Sequence, residues 1–533
     1  MKALAVDRRD IGFALVLVAI VLLTLVIGLQ SAELALLFVA GCGVLVLLVT
    51  LLGTSRGTLV LAVILLVIVV VLPEDVSLQY RVPLGGGGIF ISDLLLGPLL
   101  AAWLASLLTS RTVAATRSPV TLPLALFMVW LAVAAFIGYE NGNELKVVLQ
   151  DFRNLFYYVL FFWVITSVAD RRSILTILKA LAVCIVAGFA VGLLYTALGR
   201  ADSTEFVEAG VSRFPAPNDV FLMGAILLAG WVGLWPAGRR RPRVLWLLLA
   251  LSLVGLMLSF IRGYWVGFAV GLLCLVFLVR SSQRVRLLAG VLVAGALLAV
   301  ATATLQPAVF ASVVSRAMAV TAIHDRNIQY RFLEDQAVER QIRQRPLVGY
   351  GLGKTFVPDF QRYGIPLEPK TYIHNNYLWF LQRLGAVGLG LFAWFVLAFL
   401  FPRGGVRSYR AEDDPWLVGL VVGTRALMVA LLFVSITSPQ FNNMTDVAVI
   451  AVLMGCAEVA RRLLNENAQP AAPPDSRIGH GLQQVAGVEQ GRPRGPAVQP
   501  HAAGAGPGHR IDAGEAIEEG AVVTVEQHQG GWA

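Results

Sequence analysis

His374 is the side chain in this chain with the most evident capacity for chemistry. It sits in Tyr372-Ile373-His374-Asn375-Asn376-Tyr377-Leu378, at the close of a long polar insert in an otherwise apolar sequence. A neutral imidazole accepts a proton at neutral pH, which is general-base chemistry. Three arginines stand out beside it. Arg262 lies in Leu258-Ser259-Phe260-Ile261-Arg262-Gly263-Tyr264-Trp265, between two apolar runs with almost no connection between them. A charge pinned at a membrane face is costly unless it is paired or snorkels. Arg213 lies in Val211-Ser212-Arg213-Phe214-Pro215-Ala216-Pro217-Asn218, and Arg331 in Tyr330-Arg331-Phe332. Each of these residues also has a plain structural reading. His374 can pack at the membrane surface, and Arg262 can anchor at the interface beside Tyr264 and Trp265. Arg213 can balance Glu205 and Glu208, and Arg331 can pair with Asp335.

Other reactive residue types are poorly placed for chemistry. Cys42, Cys184, Cys274 and Cys456 each sit inside an apolar run with no Cys-x-x-Cys partner, and read as small buried hydrophobes. His480, His501, His509 and His528 are scattered along the C-terminal segment at no metal-binding spacing. Asp151 and Arg153 read as a local ion pair, and Arg425 falls in mid-span and must face the bundle interior or water.

The elements that must position these residues are membrane spans. The 533 residues are 57% hydrophobic and 14% charged, against about 25% charged in a soluble domain, and the mean hydropathy is +0.74. The chain reads as an all-α polytopic membrane protein with about fourteen (12–14) transmembrane helices. They are expected near 11–29, 34–52, 57–73, 90–108, 120–138, 152–168, 174–198, 218–235, 244–261, 264–280, 286–305, 386–401, 416–436 and 446–460. The first run follows Lys2, Arg8 and Arg9 but is too long for a signal peptide and lacks a cleavage site, so it is expected to be retained. With the N-terminus cytoplasmic, the short loops richest in Lys and Arg all fall inside, including Arg239-Arg240-Arg241-Pro242-Arg243. Both termini are then cytoplasmic. The net charge of +9 is explained by this loop bias, not by nucleic-acid binding.

Four regions follow: spans at 1–305, a long extracytoplasmic loop at 306–385, further spans at 386–464, and a tail at 465–533. The tail is rich in Ala, Gly, Pro and Gln without apolar periodicity and is expected to be disordered. Within the long loop an amphipathic helix is expected over 327–345, with Ile328, Phe332 and Ile342 at helical spacing and Glu339 one turn before Arg343. Gly85-Gly86-Gly87-Gly88 reads as a flexible link, since no Lys-Ser/Thr follows it.

Over roughly 200–400 the motifs resemble the O-antigen ligase and polymerase family. His374, Asn375, Tyr377, Leu378, Leu381, Gly385 and Gly388 match its histidine motif, and Arg345-Pro346-Leu347-Val348-Gly349-Tyr350-Gly351-Leu352-Gly353 precedes it as in the family. Arg213 with Pro217 and Asn218 matches, as do Arg262 and Arg331. The family's Ser-Arg pair is altered, because Ile261 precedes Arg262 and Ser259 lies three back.

The resemblance implies a glycosyltransferase of the bacterial inner membrane, acting in cell-surface polysaccharide synthesis. It would move a glycan from an undecaprenyl-diphosphate-linked donor onto an acceptor hydroxyl of a glycan, lipid or protein. It implies His374 as catalytic base, with Arg213, Arg262, Arg331, Asn375 and Tyr377 binding substrate. Arginine forks suit the diphosphate charge and a histidine suits the acceptor proton. No Asp-x-Asp pair is present for a metal and a sugar nucleotide (Asp413 and Asp414 are adjacent), so neither metal nor cofactor is expected. A secondary transporter, which would show paired broken helices and mid-membrane carboxylates, and a glycan-binding protein without activity are the alternatives.

Overall fold

A computed structural model describes residues 55–72, 82–84, 87–109, 117–198, 214–236, 240–279, 281–318, 326–358, 368–402 and 413–467. The chain divides into units 1–470 and 471–533, and all the described residues lie in the first. The spans expected at 11–29 and 34–52, Arg213, and the tail from 468 onward lie outside the described residues.

The regular elements among the described residues are helices, apart from one short antiparallel hairpin, β1 (Val82–Leu84) with β2 (Gly87–Ile89), which takes in part of the glycine run expected to be a link, and an isolated bridge between Phe356 and Lys370. Five helices are long and apolar enough to cross a bilayer: Thr121–Glu140 (α3), Arg171–Ala197 (α6), Gln283–Thr304, Asn376–Leu400 (α13) and Pro415–Val434 (α14). Shorter apolar helices cover 57–71, 92–104, 218–234 (in α7), 243–258 (in α8) and 262–278 (in α9). Fourteen spans are therefore not reached among the described residues.

The segment expected as one span at 152–168 differs most. It is divided between α4 (Leu145–Phe156) and a nine-residue helix, α5 (Val159–Ser167), with the turn at Tyr157 and Tyr158 buried. A helix that short extends about 13 Å and cannot cross alone.

Local chemistry fixes several helix starts. Asp170 caps Arg171–Ala197 by accepting from the Ser173 amide. Asp414 caps Pro415–Val434 through the Trp416 amide, with Pro415 in the first turn. Small residues let helices approach closely: Gly230 faces Gly423, and Gly267 and Gly271 face Val434 and Ala430. An aromatic cluster of Phe127, Tyr158, Phe380, Phe392 and Phe395 binds Thr121–Glu140 to Asn376–Leu400.

One feature of Asn376–Leu400 positions the site. The helix is broken at Gly385, whose φ of 68° and ψ of −175° are open essentially to glycine alone. The break frees backbone groups, and the loop 345–353 binds them. Ala386 N–H donates to Pro346 O at 2.8 Å and Val387 N–H to Leu347 O at 3.1 Å. Tyr350 N–H and Gly351 N–H donate to Gln382 O and Arg383 O at 2.8 and 3.0 Å. The Trp130 indole donates to Leu384 O at 2.9 Å. The glycines of the loop are needed for this fit. A Cβ at Gly351, whose φ is 79°, would stand 2.0 Å from the Gly138 amide nitrogen.

Candidate functional site

His374 stands just before the half-helix 376–384, whose start is capped by Asn375. The Asn375 side-chain oxygen accepts from Tyr377 N–H at 3.1 Å and Leu378 N–H at 3.3 Å. Opposite lies Arg326–Ile342 (α12), the amphipathic helix expected from the sequence. Its buried face is not the expected one. Phe332 is 62% exposed and Ile328 is exposed, while Leu333, Glu334, Ala337 and Val338 are buried. Glu339 and Arg343 do meet at 3.9 Å, as their spacing implies.

This register places Glu334 against His374. One carboxylate oxygen accepts from the His374 backbone N–H at 2.5 Å, and the other lies 3.0 Å from Nδ1. A carboxylate only accepts, so in the neutral imidazole this contact puts the proton on Nδ1 and the lone pair on Nε2. Glu334 is 5% exposed, whereas the His374 side chain is 36% exposed. The Tyr372 ring stands edge-on to the imidazole at 4.9 Å.

Asp335 follows on the same helix, with its carboxyl pushed up to about 6, chiefly by burial and then by Glu334 and Glu339, against a hydrogen bond from Asn375 and the nearby His374. Two consecutive acids thus engage two consecutive residues of the histidine motif. Arg331 precedes Asp335 by one turn, on the same face of the helix.

Arg262 opens α9 (Arg262–Leu278), after a turn in which Phe260 takes a positive φ of 52°. Ser259, displaced from the family position, serves this turn: its hydroxyl donates to Leu256 O at 2.7 Å and accepts from Ile261 N–H at 3.3 Å. Tyr264 is buried and donates to the Asp219 carboxylate. The Gln440 amide reaches both, at 3.3 Å from the Tyr264 hydroxyl and 3.4 Å from Asp219.

The turn at 435–443 joins the two halves of the site. Asn376 N–H donates to Ser435 O at 2.9 Å, and Phe441 N–H donates to the Asn376 side chain at 2.7 Å. On the other side Gly263 lies so close to Thr437 that an added Cβ would stand 2.9 Å from its hydroxyl. The turn therefore brings together the start of the half-helix that follows His374 and Asn375, through Asn376, and the start of the Arg262 helix, through Gly263, with Arg331 on the helix that packs against His374. Asn375 and Tyr377 are engaged internally, the latter by its hydroxyl to Leu432 O at 2.5 Å. For Arg213, the described neighbour is Phe214, whose N–H donates to Leu258 O at 3.2 Å on the approach to Arg262.

A buried ion pair braces the histidine motif from below. Arg383 Nε lies 3.2 Å from the Asp151 carboxylate. The Arg383 guanidinium also donates to Thr371 O at 2.6 Å and Lys354 O at 3.0 Å, and it covers the Trp379 ring at 4.4 Å. Asp151 further accepts from Gly353 N–H at 2.8 Å. The expected Asp151–Arg153 pair does not form, because Arg153 instead meets Asp93 at 3.6 Å and covers Phe90 at 3.9 Å. Arg425 is buried within Pro415–Val434.

Residues 247–393 match the family model described as O-antigen ligase. The chain carries an O-antigen ligase family domain. The matched stretch runs from Arg243–Leu258 (α8) into the second half of the broken helix, and so includes Arg262, Arg331, Glu334, Asp335, His374 and the Gly385 break. Arg213, Asp219 and Gln440 fall outside it. No curated protein matches the chain. Glu334 carries no local signature in the sequence beyond being an acid on an amphipathic helix. Asp219 had a better signal, since it directly follows the Pro217-Asn218 pair. Among the described residues, no three His, Cys, Asp or Glu side chains group as metal ligands.

Proposed function

We propose that this protein transfers or polymerises a glycan from an undecaprenyl-diphosphate-linked donor onto an acceptor hydroxyl, at the outer face of the bacterial inner membrane. The O-antigen ligase domain and the membrane-spanning helices support an enzyme of this class. The observation that carries the reading is the His374–Glu334 pairing. It leaves Nε2 as a half-exposed base beside the turn that also holds the start of the Arg262 helix.

In this reading His374 Nε2 takes the proton of the acceptor hydroxyl as that oxygen bonds to the anomeric carbon of the donor. The bond from that carbon to the diphosphate oxygen breaks, and the electron pair leaves with the diphosphate. Arg262, Arg213 and Arg331 neutralise the growing charge through charge-assisted hydrogen bonds. No metal takes part in this scheme, and both chain termini are cytoplasmic. The broken helix does not favour the transporter alternative, because its freed backbone groups are bound by the chain's own loop and not left to coordinate an ion.

The test is to incubate the purified protein with a fluorescent undecaprenyl-diphosphate-linked glycan and candidate acceptors, with and without chelator. The reading expects glycan transfer that chelator leaves unchanged and that His374→Ala abolishes. Transfer at an equal rate by the His374→Ala protein would overturn it.

A further inference from the structure

The loop 345–353 lies deeper than a polar outer loop should, and the helix Thr121–Glu140 measures the depth. That helix is long and apolar enough to cross a bilayer. Leu352 N–H is bonded to Ala134 O, six residues before the Glu140 end. At 1.5 Å per residue that is about 9 Å below the end of the helix. The Trp130 indole, bonded to Leu384 O at the edge of the helix break, is about 15 Å below it. Pro346 and Leu347 are themselves bonded to Ala386 and Val387 on the far side of the break. The tip of the loop therefore stands well inside the thickness that Thr121–Glu140 spans.

What the tip exposes at this depth is apolar. Leu347 is 67% exposed and Val348 is 44% exposed. Val129, Val133 and Phe136 of Thr121–Glu140 and Val387 of the broken helix are exposed at comparable depth. Charge appears only higher up. Arg345 donates to the Asn141 side chain at 2.8 Å, just past the helix end, and lies 5.0 Å from the Tyr350 ring. Arg343 precedes it, with its side chain 81% exposed. The penalty of irregular chain in lipid is reduced at the tip, because the Pro346 and Leu347 carbonyls accept from the broken helix, the Tyr350 and Gly351 amides donate to it, and the Gly349 amide donates to Arg345 O within the loop.

We infer that 345–353 is a re-entrant segment whose Leu347 and Val348 side chains contact the acyl chains of the outer leaflet. Arg343 and Arg345 then stand at the level of the lipid phosphates, where a guanidinium is well matched. The inference stands independently of the glycan-transfer reading, since it rests on the broken helix and its neighbour crossing the membrane and on the loop-charge orientation that puts 306–385 outside.

The experiment uses the full chain with Cys42, Cys184, Cys274 and Cys456 replaced, reconstituted in phosphatidylcholine nanodiscs. An environment-sensitive fluorophore is attached at Leu347→Cys, at Val348→Cys or at Arg343→Cys. Lipid brominated on its acyl chains should quench the labels at 347 and 348 at least twofold more than aqueous iodide does, and the order should reverse at 343. Iodide quenching at 347 and 348 equal to that at 343 would place the tip in water and overturn the proposal. Quenching by neither agent would mean that protein covers the tip, and would overturn it as well. The 348 label gives the answer if the 347 variant fails to insert.

Discussion

His374 and Glu334 are joined twice, through the backbone amide at 2.5 Å and through Nδ1 at 3.0 Å. The two bonds use both oxygens of one buried carboxylate, so the orientation of the ring and the path of the chain are fixed together. Glu334 thus acts on any chemistry at His374 without facing the open side of the ring.

Two substitutions separate these roles. His374→Ala should lower turnover about 10²–10⁴-fold, the usual contribution of a general base. Glu334→Gln should fall between wild type and His374→Ala, because an amide has one oxygen and cannot accept both bonds. Turnover with the lipid-linked donor checks this. A Glu334→Gln protein at the wild-type rate would remove Glu334 from the mechanism.

Arg262→Ala should weaken donor binding by roughly 1.5–3 kcal/mol, or about 10- to 150-fold in KM. Lys at this position should restore only part of the loss, since it lacks the planar fork. Donor titration at matched expression decides it, and an unchanged KM in the Ala variant would reduce Arg262 to an interface anchor.

Asp335 gives a pH dependence of stability. Its carboxyl is pushed up to about 6 in the folded protein, against an ordinary value near 3.9 unfolded. Between those values the folded state binds the proton more tightly than the unfolded state does. The stability it contributes is present below about pH 4 and is lost as pH rises toward 6. Relative to Asp335→Asn, the wild-type Tm in detergent should therefore decline from pH 4 to 6 and then level off. A parallel pair of Tm curves would show that Asp335 titrates normally.

The Arg383–Asp151 pair is buried on both sides. Arg383→Met leaves a carboxylate buried and unpaired, and should cost about 3–5 kcal/mol of stability. Adding Asp151→Leu should recover much of that loss. A double-mutant comparison of thermal unfolding measures it, and simple additivity of the two losses would argue against a coupled pair.

Gly385→Ala tests the helix break. The added methyl would stand 2.1 Å from Leu347 O in a backbone region only glycine occupies readily. The loop 345–353 should come away from the break and become a site of rapid proteolysis. Protection equal to wild type would mean that the break tolerates a side chain.

The sequence alone determined the membrane class, the residues worth testing, and the local path of the chain around His374. Apolar run length, loop charge and turn residues act over a few neighbours, so they are written in contiguous segments. The helix that follows Asn375, the span resuming at 386 and the helix over 327–345 were legible for that reason. The partners were not. Glu334 lies 40 residues from His374, Asp151 lies 232 from Arg383, and the loop that fills the Gly385 break comes from upstream of the motif. The buried face of α12 differs from the expected one for the same cause. Leu333, Ala337 and Val338 are also at helical spacing, and packing of Glu334 against His374 selects their face over that of Phe332. Only the tertiary structure decided these pairings, because a buried charge or a freed backbone group must be satisfied by whatever packing brings near it, however distant in sequence.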